Sequence, residues 1–91
     1  MVKQIMSVID EIAAERKRQV EGEGFSQAHD DRQMLGELAY AAACYAKGDF
    51  NDAWPWDKKW WKPTTQRRNL IKAAALIVAE VERLDRAEKQ R

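Results

Sequence analysis

The chain has 91 residues, of which 34% are charged and 45% hydrophobic, and its net charge is +1. One domain of this size leaves no room for a catalytic unit plus a regulatory one, so residues 1–91 are read as a single domain. With 4 Gly, 2 Pro and 1 Cys, it is neither collagen-like, low-complexity nor a disulfide scaffold. No apolar run reaches the roughly 18–20 residues of a membrane span, and no signal-peptide core is seen, which predicts a cytoplasmic protein with no membrane partner.

The first predicted helix covers residues 2–20. Ile5, Val8, Ile9, Ile12, Ala13 and Val20 recur on one face, and Ser7 with Asp10 forms a candidate capping pair. Glu21-Gly22-Glu23-Gly24 stops it. A connector over 25–30 holds Phe25 and His29, the only histidine. Asp30 reads as the N-cap of a second helix from Asp31 to Lys47, closed by Gly48. Its inner stripe is Leu35, Leu38, Ala39, Ala42 and Ala46. The small run Ala41-Ala42-Ala43-Cys44 lets a neighbouring helix approach closely, which places this helix at the centre of the packing. Cys44 there reads as a buried, inert thiol.

Residues 48–63 form a long loop stiffened by Pro55 and Pro63, with four Trp at positions 54, 56, 60 and 61. The third helix starts near Thr64 or Thr65 and runs to about Glu88. Leu70, Ala73, Ile77, Val81 and Leu84 make its seam, widened by Ile71, Ala75 and Val78. At 1.5 Å per residue this helix spans roughly 37 Å, long for so small a globule. The expectation is therefore an all-α domain of three helices with a long Trp-rich loop between the second and third, assembled as a homo-oligomer.

Charge is unevenly spread. Residues 1–57 hold six cations and eleven carboxylates, a balance of −5; residues 58–72 hold six cations and no acid; residues 73–91 are neutral. A basic block beside Trp residues points to an anionic ligand or a protein contact. The acidic half argues against nucleic acid as the partner. Arg67 and Arg68 sit at a helix start, where cations oppose the dipole and a bound phosphate reverses the sign. Their alternative is pairing with Asp57, Asp52 or an acid of the first helix. Lys62, Trp60 and Trp61 approach the same end, and Trp56 joins them as a stacking surface for a ring. Two of the four Trp are expected to cover the core.

His29-Asp30-Asp31 reads either as a cap with a surface histidine or as carboxylates that accept from a sugar hydroxyl or an amine. Glu11, Glu15, Glu37 and Glu80 are a weaker set for a divalent cation in a bundle. Glu82 with Arg86 reads as a surface pair. No catalytic residue and no cofactor are assigned.

Several motifs carry resemblances. Glu15-Arg16-x-Arg18-Gln19, Glu23-Gly24-Phe25, His29-Asp30-Asp31, Gly36-Glu37-Leu38-Ala39, Trp54-Pro55-Trp56, Trp60-Trp61-Lys62-Pro63 and Arg67-Arg68-x-Leu70 together resemble a group of small phage and prophage proteins. That resemblance implies a phage-encoded protein acting in a bacterial cytoplasm. The run Arg18 to Asp31 is similar to a motif of the ryanodine-receptor repeat domain, with Phe25 in place of Trp and His29 in place of Arg. This second likeness implies recognition of a nucleotide-derived ligand and adds Arg18 to the candidate site. Gly36-Glu37-Leu38 looks like part of the all-α nucleotide pyrophosphohydrolases, but Met34 stands where their first metal-binding acid belongs.

The expected function is binding of a small nucleotide-type or other phosphorylated anion, with sequestration of a host signalling nucleotide as its use. The candidate site is Arg18, His29, Asp30, Asp31, Trp56, Trp60, Trp61, Lys62, Arg67 and Arg68. The alternatives are docking of the Trp/Lys loop on a host protein and metal-dependent nucleotide hydrolysis.

Overall fold

A computed structural model describes residues 7–89. It contains four α-helices: α1 (Val8–Gly22), α2 (Gln27–Asp31), α3 (Glu37–Lys47) and α4 (Gln66–Lys89), with one 3-10 turn at Lys58–Trp60. All-α is thus correct, and there is no strand among the described residues. None of these helices is long and apolar enough to cross a membrane. The first residues of the expected first helix, including Ile5, lie outside the described residues.

α4 is the axis on which α1, α2 and α3 all pack. The small-residue run on α3 explains the close α3–α4 contact. Leu38, Ala41, Ala42 and Cys44 are buried against Ala73, Leu76 and Ala79, with Trp54 and Tyr45 closing the end. Cys44 is buried and free, as its setting among alanines predicts.

Three expectations are corrected. First, the second helix is two. Ser26, not Asp30, caps α2: its side chain accepts from the His29 N–H at 3.2 Å. The chain then turns, and Gly36 with φ of +84° starts α3. A left-handed residue cannot continue a helix, and this conformation favours glycine. The break leaves Leu35 82% exposed rather than in the inner stripe.

Second, α4 buries only part of its expected face. Ile71, Ala73 and Ala75 face inward as expected, joined by Asn69, Lys72, Leu76 and Ala79, while Leu70, Ile77, Val78, Val81 and Leu84 point to solvent. Alanines and a lysine stem are what a tightly approaching α3 admits. Third, α1 docks by polar residues. Val8 and Ile9 are exposed, and Glu15 and Gln19 are its buried residues.

The docking of α1 follows from the charges opposite it. Arg67 donates to both oxygens of Glu11 at 2.7 and 2.8 Å. Arg68 donates to Glu15, which also takes Arg18 at 2.8 and 2.9 Å and the Gln19 amide at 3.2 Å. Farther along, Arg16 contacts Glu82 of α4 and Asp30 of α2. Glu82 therefore pairs with Arg16, and Arg86 with Asp31 at 2.8 Å, instead of with each other. The pairs around the buried Glu15 and Asp30 carboxylates gain little net stability but cost several kcal/mol when one partner is removed, whereas the exposed Arg67–Glu11 and Arg86–Asp31 pairs contribute less.

Burial pushes the Glu15 carboxyl up, but Arg18, Arg68 and Gln19 outweigh it and hold it below the ordinary 4.5. The folded value is lower than the unfolded one, so the stabilisation is complete above 4.5 and is lost as pH falls through the lowered folded value. Two outcomes are expected in urea titrations. Glu15→Ala lowers unfolding free energy by about 3 kcal/mol at pH 7. The difference between wild type and Glu15→Ala shrinks as the pH is taken below 4.5.

Candidate functional site

The Trp-rich loop folds back on α3 through one hydroxyl. Tyr45 accepts from the Lys62 N–H at 3.1 Å and donates to the Trp60 carbonyl at 3.4 Å. Its ring lies 4.7 Å from Trp61 and 5.7 Å from Trp54, centre to centre. The Trp54 indole donates to the Asp57 carbonyl at 3.1 Å, closing the turn around Pro55. Trp54 is buried, and Trp61 and Trp56 pack partly against the core. Trp60 is the exposed one of the four.

Across from the loop stand the end of α1 and α2. Phe25 and His29 stack at 4.7 Å with their planes 12° apart. Trp56 leans on both, at 5.4 and 6.0 Å. Its indole N–H is fixed by the Gln33 amide oxygen at 3.0 Å. His29 is held from below by its Nδ1 against Asp30 at 2.8 Å, and Asp30 is fully buried with Arg16 at 2.7 Å. His29 is thus a wall residue, not a free surface histidine.

These elements leave an open cleft of about 300 Å³, lined by Glu23, Phe25, His29, Trp56, Asp57 and Trp60. Behind it lies a small enclosed space between Gln19, Tyr45, Trp54 and Lys72 that shares Glu23, Phe25, Trp56 and Trp60 with the cleft. Glu23 joins the two banks: Lys62 and Arg18 each contact it at 3.1 Å. Burial pushes its carboxyl up, and these two cations more than reverse that, so it stays ionised to below 4.5. Lys59 and Lys62 lie over the Trp60 ring at 5.7 and 5.4 Å. Burial also pushes the Lys72 ammonium down, while it donates to the Lys62 carbonyl at 2.7 Å.

Of the residues singled out from sequence, Arg18, His29, Trp56, Trp60 and Lys62 gather at this cleft. The others do not. Asp30 lies beneath it, Asp31 pairs with Arg86, and Trp61 packs against Tyr45 and the core away from the cleft lining. Arg67 and Arg68 are engaged by Glu11 and Glu15, the alternative that their position left open. Sequence reading missed Phe25, Glu23 and Asp57 as lining residues. The Glu23-Gly24-Phe25 motif was a usable signal, since an aromatic next to a left-handed glycine has to pack somewhere.

The four acids considered for a divalent cation do not converge. Glu11 and Glu15 face α4, Glu80 pairs with Arg83, and Glu37 accepts from the Leu35 N–H at 2.7 Å. Among the described residues no three His, Cys, Asp or Glu side chains surround a common point.

Comparison with known proteins finds no matching family model, no matching curated protein and no matching solved structure.

The division of the tryptophans between core and cleft has a direct measure. Trp54→Ala is expected to cost about 3–5 kcal/mol in chemical denaturation, as a buried aromatic does. Trp60→Ala is expected to stay within about 1 kcal/mol of wild type.

Proposed function

We propose that the protein binds a small nucleotide-type or similarly phosphorylated ligand in the cleft between the Trp-rich loop and the α1–α2 corner. The observation that carries this reading is the open cleft itself, about 300 Å³ lined by the rings of Phe25, His29, Trp56 and Trp60. Planar rings stack on such faces regardless of substituents, at about 1–3 kcal/mol each. Glu23 and Asp57 supply acceptors for hydroxyl or amino groups at the edge. Lys59 and the half-exposed Lys62 supply the positive side for a phosphate, while Arg18 stays engaged with Glu15 and Glu23.

This reading moves the anion contact away from Arg67 and Arg68. Opening their pairs with Glu11 and Glu15 to admit a phosphate would release α1 from α4. We read the cleft as a site that binds and releases, and sequestering a host signalling nucleotide is the use we assign to it. A second reading rests on the exposed Phe50 and Trp60, each with a lysine over its ring. Paired aromatics and cations of this kind also suit docking on a host protein.

Titration with adenine nucleotides and cyclic nucleotides, followed by tryptophan fluorescence and calorimetry, tests the proposal. Quenching is expected, with affinity lowered about ten-fold or more in Trp60→Ala by loss of one stacking face. Lys62→Ala should weaken binding and flatten its salt dependence. Absence of heat and of quenching with every nucleotide tried would remove the reading.

A further inference from the structure

The outer face of α4 carries an apolar row that nothing in the described structure covers. Leu70, Ala74, Ile77, Val81 and Leu84 follow one another at alternating four- and three-residue steps. That is the spacing of a heptad seam between two helices. Leu70, Ile77, Val81 and Leu84 are each about half exposed. The opposite face of the same helix, with Lys72, Ala75, Leu76 and Ala79, is already buried in the fold. Continued at the same spacing, the row reaches Arg67 at its start and Glu88 at its end. The seam is thus bounded by opposite charges.

We propose that this row is a self-association seam on which a second copy of the chain lays its own α4 in the antiparallel direction. The end charges set the direction. In a parallel pair Arg67 would face the other copy's Arg67, and Glu88 the other Glu88, and both ends would repel. An antiparallel pair with its twofold axis between Ile77 and Val78 sets Arg67 opposite the second copy's Glu88 at both ends. The same register sets Ala74 against Val81, a small residue against a larger one, and brings the two isoleucines together at the axis. It also places Asp85 opposite Leu70, one turn from Arg67. Arg67 keeps its bond to Glu11 and remains 63% exposed. A guanidinium has five donors, so a second carboxylate can share it. A coiled-coil-like pair along a 24-residue helix buries the row in both copies at once.

Analytical ultracentrifugation of the full chain over a wide concentration range tests the proposal. A reversible dimer is expected, and Ile77→Glu should raise its dissociation constant about ten-fold or more with unchanged helical circular dichroism, because it buries an unpaired charge. A monomer at every concentration, or a dimer indifferent to Ile77→Glu, would overturn it. Direction is read by cross-linking; Cys44 is buried and does not compete. A mixture of Ala74→Cys and Val81→Cys copies should form a disulfide heterodimer. Ala74→Cys alone should not, since antiparallel packing separates its two thiols by about 10 Å along the axis. A disulfide formed by Ala74→Cys alone would mean a parallel pair and would also overturn the proposal.

Discussion

A fully buried carboxylate decides how the molecule is put together. Glu15 sits at 1% exposure between α1 and α4, and it is tolerable there only because Arg18, Arg68 and Gln19 all donate to it. Each donor is thereby fixed as well. Arg18 is oriented so that its other edge reaches Glu23, and Arg68 is drawn onto α1 from the first turn of α4. The cleft inherits its α1 bank from this arrangement, because Glu23 follows directly from where α1 lies on α4.

The same constraint explains the two misplaced apolar faces. A helix that docks through Glu11, Glu15 and Gln19 does not need to bury Val8 or Ile9. α4 turns its arginines and alanines toward α1 and α3, so the bulkier Leu70, Ile77 and Val81 are left outside. Cap and breaker residues located several helix ends, with Ser7, Gly48 and the Pro63–Thr65 boundary close to where the structure has them, although the break before Gly36 was not among them and periodicity set no inner face. It could not say which of two eligible faces is inner, since on α4 both faces carry aliphatic residues. The tie is broken by ion pairs 53 and 56 residues apart in sequence, which no local pattern contains.

The site was legible in part for similar reasons. The density of Trp in the loop marked it as more than a connector, and His29, Trp56, Trp60 and Lys62 do meet around the cleft. Arg67 and Arg68 looked poised for an anion because the helix start disfavours cations. The structure meets that electrostatic demand with carboxylates of the chain itself. Asp30 looked like a cap by residue type, while Ser26, four positions earlier, does that work and frees Asp30 to go inside.

The two banks of the cleft differ in how the chain reaches them. The loop bank is tied to α3 by Tyr45 across 15 and 17 residues, and its rings interlock with the core. The α1 bank is tied to the loop by Lys62 and Glu23 across 39 residues, through side chains that remain partly in water. Closure entropy grows only slowly with such lengths, so the contacts decide how firmly the banks are joined: the Lys62–Glu23 pair at one edge, and Trp56 of the loop against Phe25, His29 and Gln33 at the other. Local fluctuations that widen the cleft therefore have to part Trp56 from Phe25, His29 and Gln33 as well as Lys62 from Glu23, with the loop residues gathered on Tyr45 staying in place.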